Sequence, residues 1–136
     1  MSQGEETKSS KKIVYAELSY RIVKILFDVY NELGGRYQEK YYQRAVAIGF
    51  DKNKIRYNKE LSVNLTFQNQ TIGKYFLDFL VEGKIIVELK TVMRFSYDDV
   101  RQVLAYLKAK NLRLGILVNF RGNKLEYKRI INSSNS

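Results

Sequence analysis

Three charged side chains stand inside apolar segments of the chain: Asp78 within FLDFLV, and Glu88 and Lys90 within IIVELK. Both segments have the composition of buried β-strands, where a carboxylate is costly unless it is paired with a cation or ligates a metal. One such residue would be unremarkable. Two on successive strands, with a lysine beside the second, predict a site at which carboxylates do chemistry.

The turn between these two strands decides whether the carboxylates meet. Side chains alternate between the faces of a strand, so Leu89 points away from the face that carries Glu88. A two-residue turn would place Asp78 opposite Val87 and separate it from Glu88. An odd-length turn, closed by a glycine in the left-handed region, would put both acids on one face. Gly83 suits that role, so we predict the odd-length turn.

On one face, Asp78 and Glu88 would hold a divalent cation, with the Leu89 carbonyl as a further candidate ligand. Oxygen ligands suit Mg²⁺ or Mn²⁺. Such a metal makes a bound water more acidic and stabilises the charge that develops on a phosphoryl group. Lys90 can orient that water or neutralise that charge. The alternative is an Asp–Lys or Glu–Lys ion pair at a strand end, which needs no metal.

The composition excludes several other kinds of active site. The 136 residues contain no histidine and no cysteine, which rules out Ser-His-Asp and Cys-His machinery, histidine-ligated zinc and thiolate metal sites. With 24 basic and 14 acidic residues, the formal net charge is +10. This charge favours a polyanionic partner, nucleic acid first, although a basic protein that is merely well solvated is the alternative.

The sequence also bears on location. It has no apolar stretch long enough to span a bilayer and no apolar segment near its N-terminus that is typical of a secretory signal. We therefore expect a cytoplasmic protein without a membrane partner.

The pattern of apolar residues predicts one domain over residues 13–131, a disordered tail at 1–12 and a flexible tail at 132–136. Helices are predicted at 13–33, 37–48 and 97–110, and strands at 60–67, 72–81, 84–90, 112–120 and 125–131. The order α-α-β-β-β-α-β-β predicts an α/β fold. Its sheet should be mixed, because the crossover helix returns the chain parallel to an earlier strand.

Glycines set the predicted helix ends, since the chain has no proline. Gly34 and Gly35 should stop the first helix, and Gly49 the second. In the second helix, Tyr41 and Tyr42 are among the residues expected to face the core.

Asp78 followed by Glu88-Leu89-Lys90 resembles the D-x(n)-E-x-K pattern of the PD-(D/E)XK nuclease superfamily, with Leu77 in the place of the motif's first proline. The wider chain resembles the GxxExxY protein family of that superfamily. This likeness runs from residue 17 to 131 through ELGGRYQEKYYQRAV, GKYFLDFLVEGKIIVELKTV, QVLAYLK and LGILVNF.

Glu39 and Tyr42 match the Glu and Tyr of the GxxExxY motif, whereas Arg36 stands where the motif has its glycine. The resemblance implies a restriction-endonuclease-like core, with a mixed sheet flanked by helices. It also implies a centre formed by Glu39, Asp78, Glu88 and Lys90, in which the helix-borne Glu39 completes the metal environment. The alternative for Glu39 is a surface glutamate on a charged helix face.

Gln102 and Tyr106 resemble the Q-x-x-x-Y element of a subset of this superfamily that includes helicase-associated exonucleases. Four residues apart on a helix, they share a face. The resemblance implies that the amide and the hydroxyl contact a phosphate or the attacking water. The alternative is a half-buried tyrosine beside a solvated glutamine.

Basic residues surround the same helix and are candidates for holding a nucleic-acid backbone: Arg94, Arg101 and Lys108, with Lys110 and Arg113 nearby. A charged, solvated helix face is the alternative for any one of them.

The function favoured by these observations is a metal-dependent nuclease that hydrolyses phosphodiester bonds, with DNA favoured by the Gln102–Tyr106 analogy. One alternative is a catalytically weak nucleic-acid-binding module that keeps a nuclease fold. Another is a structural or partner-binding subunit. A homodimer is a further hypothesis, because cutting both strands of a duplex often needs two active sites.

Overall fold

The computed structural model describes residues 13–133, and within them every helix is too short or too polar to span a lipid bilayer. The elements are α1 (Ala16–Leu33), α2 (Glu39–Lys52), β1 (Tyr57–Phe67), β2 (Gln70–Val81), β3 (Ile85–Lys90), α3 (Tyr97–Lys110), β4 (Leu114–Asn119) and β5 (Glu126–Ile131). The predicted order of helices and strands is confirmed, and α3 has the predicted bounds.

The structure describes none of the predicted N-terminal tail and only the first two residues of the predicted C-terminal tail. Residues 1–12 lie outside the described residues, as do residues 134–136. Asn132, predicted to begin the second tail, is instead buried. Its N–H donates to the Arg113 carbonyl at 2.9 Å and its side-chain amide donates to the Leu112 carbonyl at 3.0 Å. These bonds tie the residue after β5 to the segment that leads into β4.

The five strands form one sheet in the order β1-β2-β3-β4-β5. Neighbouring strands are antiparallel except β3 and β4, which are parallel. Helix α3 makes the crossover between these two strands, as a parallel pair requires. The α/β class with a mixed sheet is therefore confirmed, and it is consistent with a restriction-endonuclease-like fold.

Helices cover both faces of the sheet, so the core has two layers. On one face, α1 and α2 pack Leu26 and Phe50 into a cluster that includes Val87. On the other face, α3 packs Leu107 into a cluster that includes Ile86. Burying an aliphatic or aromatic side chain of this size contributes about 1.5–3 kcal/mol. Strand β3 lies between the two layers, so charged residues near its end are held in a rigid, apolar setting.

Helix α2 runs past its predicted end. Gly49 lies inside the helix, which continues to Lys52. A Cβ at Gly49 would lie 2.6 Å from the Ile25 Cγ2 atom, so the glycine allows α1 and α2 to approach closely and is not a helix stop. The prediction for Tyr41 was also wrong: its side chain is 42% exposed, whereas Tyr42 is fully buried.

Candidate active site

The turn between β2 and β3 has an odd number of residues, as predicted. Three residues connect the strands, and Gly83 at the centre has a left-handed φ of 67°. The ladder between the strands ends with Phe79 opposite Val87. One further step in this register sets Asp78 opposite Glu88, so the two acids come together.

Beyond the last backbone pair of this ladder, the two carboxylates accept hydrogen bonds from backbone N–H groups of the opposite strand. The Asp78 N–H donates to Glu88 Oε1 at 3.1 Å, and the Leu89 N–H donates to Asp78 Oδ2 at 2.7 Å. The strands can therefore separate without leaving these peptide N–H groups unpaired. Each acid is held by the opposite strand, and Asp78 lies beside Leu89, whose carbonyl is a predicted ligand.

Strand β2 changes face at Asp78. Phe79 and Val81 pack in the layer under α1 and α2, whereas Leu77 packs in the layer under α3. In a regular strand these odd-numbered residues would share one face. On β1, Glu60 has a left-handed φ of 56° and drops out of the pairing between β1 and β2. Asp78 thus lies where β2 twists away from β3, in the gap between the two strands.

Helix α2 brings Glu39 and Gln43 to this gap. The Gln43 side-chain amide donates to Asp78 Oδ1 at 2.8 Å and to Glu39 Oε2 at 3.1 Å. One amide therefore bridges two acids that lie 39 residues apart in sequence. Gln43 was not predicted as a site residue. Its spacing of four from Glu39, which places both on one helix face, was the signal that could have identified it.

All three acids lie in surroundings that disfavour their charged forms. Burial, followed by the charge of Asp78, raises the pKa of Glu88 to about 8, and this side chain is 8% exposed. Burial also raises the pKa of Asp78, and burial with the Asp78 charge raises that of Glu39. Within residues 13–133, none of the three forms an ion pair with a lysine or arginine. A cation placed between them would be strongly stabilised.

This donor set fits Mg²⁺ or Mn²⁺. Mg²⁺ is usually held by one or two carboxylates and keeps several waters, so Asp78, Glu88 and the Leu89 carbonyl would suffice. Among residues 13–133, no group of three or more aspartate, glutamate, histidine or cysteine side chains is arranged to hold a metal ion. Two carboxylates and a carbonyl would leave the other coordination positions to water and substrate.

The raised pKa of Glu88 predicts how stability depends on pH. Between its ordinary value of 4.5 and its folded value of about 8, the folded protein holds a proton that the unfolded chain has released. The free energy of unfolding should thus fall as pH rises from 6 to 8, by at most about 1.4 kcal/mol per unit. Thermal denaturation in EDTA measures this slope, and Glu88→Gln should flatten it. An equal slope in both proteins would contradict the assignment.

Lys90 acts electrostatically on the acids but forms its ion pair with another residue. Its ammonium lies 3.7 Å from Asp99 Oδ1, and its charge lowers the pKa of Asp78, Glu88 and Glu39. Asp99 also accepts the Ser96 N–H in the capping box that begins α3. The start of α3 therefore holds the lysine at the edge of the acidic centre.

Tyr106 lies below the centre and not on its surface. Its side chain is fully buried, and its hydroxyl donates to the Phe76 carbonyl at 2.7 Å. Burial, followed by the charge of Glu88, raises its pKa. The predicted contact of this hydroxyl with a phosphate or water is therefore corrected: the group anchors β2 to α3. Gln102, half-buried, donates to the same hydroxyl at 3.5 Å.

The predicted nucleic-acid-binding residues are all exposed: Arg94, Arg101 and Lys108. Arg94 lies before α3, and the other two are seven residues apart on the helix, so they share a face. Arg101 lies 3.8 Å from Asp98 and over the ring of Tyr97. Part of its charge is therefore already offset.

Tyr42 holds the loop that precedes Glu39. Its ring stacks on Phe120 with centroids 4.4 Å apart. Its hydroxyl donates to the Gly34 carbonyl and accepts the Tyr37 N–H. Tyr42 thus positions the α1–α2 loop, and through it the start of α2.

Gly35 in this loop touches the β4–β5 loop. A Cβ at Gly35 would lie 2.0 Å from the Gly122 carbonyl oxygen, a backbone atom that cannot swing aside. Gly35→Ala should therefore lower the free energy of unfolding by about 1–3 kcal/mol, as overpacking does. Gly73→Ala is the matched control, because nothing lies within 4 Å of its added Cβ. Urea denaturation compares the two, and equal stability would contradict a close approach of the loops.

The residues of this centre fall within the range that matches a known family. The profile described as the PD-(D/E)XK nuclease superfamily matches residues 16–130. The chain belongs to this superfamily. No curated protein sequence matches it. Among solved structures, it is similar to the crystal structure of SSO0001, with a TM-score of 0.49 and 12% identity over 91% of this chain and 82% of that chain.

Membership of the PD-(D/E)XK superfamily accounts for the unusual strand residues. The matched range contains Asp78 in β2 and Glu88 and Lys90 in β3, the residues predicted for the two acids and the lysine of the PD-(D/E)XK motif. Leu77, in the place of the motif's proline, is buried in the layer under α3. The departure from the motif therefore contributes to the core of this PD-(D/E)XK domain.

Proposed function

We propose that this PD-(D/E)XK domain is a metal-dependent nuclease that hydrolyses phosphodiester bonds of nucleic acid, with DNA as the preferred substrate. The observation that carries the proposal is the pair formed by Asp78 and Glu88. The two carboxylates are mostly buried, are bonded to each other's strand, and have no cationic side chain within ion-pair distance among residues 13–133. A purely structural pair of acids would gain nothing from this costly arrangement.

The proposed metal ligands are Asp78, Glu88 and the Leu89 carbonyl. Mg²⁺ or Mn²⁺ bound there would make a water more acidic and offset charge on the phosphoryl oxygens. Gln43 keeps the Asp78 carboxylate in place through its 2.8 Å hydrogen bond. The reciprocal bonds between the strands keep Glu88 from rotating away.

The remaining side chains act on the substrate and the attacking water. Glu39, held by Gln43 beside Asp78, is proposed to accept a hydrogen bond from that water. The Lys90 ammonium, restrained by Asp99, is proposed to neutralise the negative charge that grows on the scissile phosphate. Gln102 is proposed to contact the phosphate, while Tyr106 positions β2 beneath it.

Two further points support a finer assignment. The positions of Glu39, at the acidic centre, and Tyr42, in the same helix and bonded to the loop before it, support a place in the GxxExxY group. The net charge of +10 and the exposed Arg94, Arg101 and Lys108 support binding to a nucleic-acid backbone. Cutting both strands of a duplex would need two such centres, which makes a homodimer part of the proposal.

A second candidate is a nucleic-acid-binding module without useful turnover. It is favoured by one observation: Glu88, with a pKa of about 8, keeps its proton at neutral pH unless a cation displaces it. An active nuclease must therefore bind its metal tightly enough to do so.

Cleavage separates the two candidates. Purified protein is incubated with linear, circular, branched and single-stranded DNA, and with RNA, in Mg²⁺, Mn²⁺ or EDTA. We expect cleavage of DNA in either metal and none in EDTA. Intact substrates throughout, with tight binding to nucleic acid, would favour the binding module.

A further inference from the structure

A basic groove opens beside the acidic centre, between the α1–α2 loop and the β4–β5 loop. Residues that line it include Gly35, Arg36, Tyr37, Gln38, Thr91 and Arg121. Gln38 directly precedes Glu39, and Thr91 directly follows Lys90. The groove therefore adjoins the proposed catalytic residues.

The charge of the groove suits phosphate. Arg36 and Arg121 line it, and none of its lining residues is acidic. Both arginines are exposed, and within residues 13–133 neither forms an ion pair. This distinguishes them from Arg101, which lies against Asp98. Two uncompensated guanidinium groups can each bind a phosphate through paired N–H donors.

Hydrogen bonds hold the two loops that form the groove in place. The Gly122 N–H donates to the Gly35 carbonyl at 3.2 Å, and the Tyr30 hydroxyl donates to the Gly122 carbonyl. The Tyr42 hydroxyl binds both the Gly34 carbonyl and the Tyr37 N–H. The two loops are thus tied to each other and to the helices on either side, so the arginines are carried on a stable frame.

An aromatic ring stands at the same place. Tyr37 is 52% exposed and is held by edge contacts with Tyr41 and Tyr42, each with centroids 6.2 Å apart. Exposed aromatic rings beside basic side chains bind unpaired bases by stacking, which paired bases inside a duplex cannot do.

From this combination we infer that the basic groove binds an unpaired nucleotide next to the scissile phosphate. Arg36 and Arg121 hold its backbone phosphates, and Tyr37 stacks on its base. The inference rests on the proposed function and adds the substrate class: a nucleic acid that is single-stranded on one side of the cut.

Binding in EDTA tests the groove without requiring catalysis. The probes are a fluorescein-labelled 20-nucleotide single strand and the blunt duplex of the same sequence, each titrated at several salt concentrations. Arg36→Gln/Arg121→Gln should weaken single-strand binding and reduce the slope of log K against log salt by about 0.7 per arginine. Tyr37→Ala should weaken single-strand binding about tenfold and leave duplex binding unchanged.

Two control variants remove a positive charge and an aromatic ring outside the groove. Lys24→Gln removes one exposed positive charge from α1, and Tyr20→Ala removes an exposed ring from the same helix. Both should bind like the wild type. Thermal denaturation of every variant confirms that the fold is intact, which is expected because the substituted side chains are exposed.

The outcomes separate this inference from the proposed nuclease activity. Single-strand binding that depends on the groove residues, without cleavage of any substrate, would support the binding role of the groove and refute the proposed nuclease activity. Metal-dependent cleavage by the wild type, with an unchanged slope of log K against log salt in the double variant, would contradict only the binding role of the groove. If Tyr37→Ala weakened single-strand and duplex binding equally, the inference that the groove binds an unpaired nucleotide would be wrong.

Discussion

Replacing Glu88 with glutamine should lower the rate of DNA cleavage about 10³-fold, because a bound metal supplies several kcal/mol of transition-state stabilisation and each 1.4 kcal/mol is tenfold. The same change should make the metal-free protein more stable at pH 8. Glutamine keeps the shape and the hydrogen bond to the Asp78 N–H but has no charge to bury. Cleavage rates in Mn²⁺ and thermal denaturation in EDTA measure the two effects.

The opposite signs of these effects make the prediction specific. Glu32→Gln is the matched control, since it removes a carboxylate from the exposed side of α1 and should change neither quantity. A Glu88→Gln protein that cleaves at the wild-type rate would exclude Glu88 from the metal site. Loss of activity together with loss of stability would instead indicate damage to the fold.

Replacing Lys90 with methionine should lower cleavage about 10²–10³-fold, the usual effect of removing one group that stabilises transition-state charge. Metal binding should be kept. Methionine preserves most of the apolar stem, and the ammonium is held by Asp99 at 3.7 Å and not by the acids that would ligate the metal. Cleavage assays at saturating Mn²⁺, with calorimetric titration of Mn²⁺, separate catalysis from binding.

Lys24→Met is the control for the lost charge, because Lys24 forms an ion pair with Asp28 on the exposed side of α1. It should cleave normally. If Lys90→Met loses its affinity for Mn²⁺ along with its activity, Lys90 supports the metal site and does not act on the phosphate. Unchanged cleavage would remove it from the catalytic residues.

The meeting of Asp78 and Glu88 could be predicted from sequence because it depends only on local rules. Strand alternation fixes which residues share a face, and Gly83 permits the three-residue turn that the structure contains. The bounds of α3 were equally predictable. Ser96 caps the helix at its start, and the apolar residues of α3 recur at helical spacing from Val100 onward.

Other parts of the site depend on contacts between distant elements and could not be predicted. Strand β2 changes face at Asp78, where Glu60 of β1 leaves the pairing, and no pattern within β2 indicates this. The partner of the Tyr106 hydroxyl is the Phe76 carbonyl, which is set by the path that β2 takes over α3. A spacing of four residues predicted the shared helix face of Gln102 and Tyr106 but not what lies against it.

The role of each glycine was also ambiguous in the sequence, because it depends on contacts between distant elements. Gly34 ends α1 as predicted, with a left-handed φ of 77°, whereas Gly49 lies within α2 against Ile25. A missing side chain serves either a backbone conformation or a close approach. The sequence alone does not distinguish them, because the approaching residue is 24 positions away.

The claim that Asp78 and Glu88 form a divalent-metal site can be tested before any substrate is known. The measurement is calorimetric titration of Mn²⁺ into wild-type protein, Asp78→Asn and the control Asp98→Asn, which removes an exposed acid from the first turn of α3. We expect one bound Mn²⁺ per chain for the wild type and Asp98→Asn, and none for Asp78→Asn. Equal binding by all three proteins, or no binding by the wild type, would contradict it.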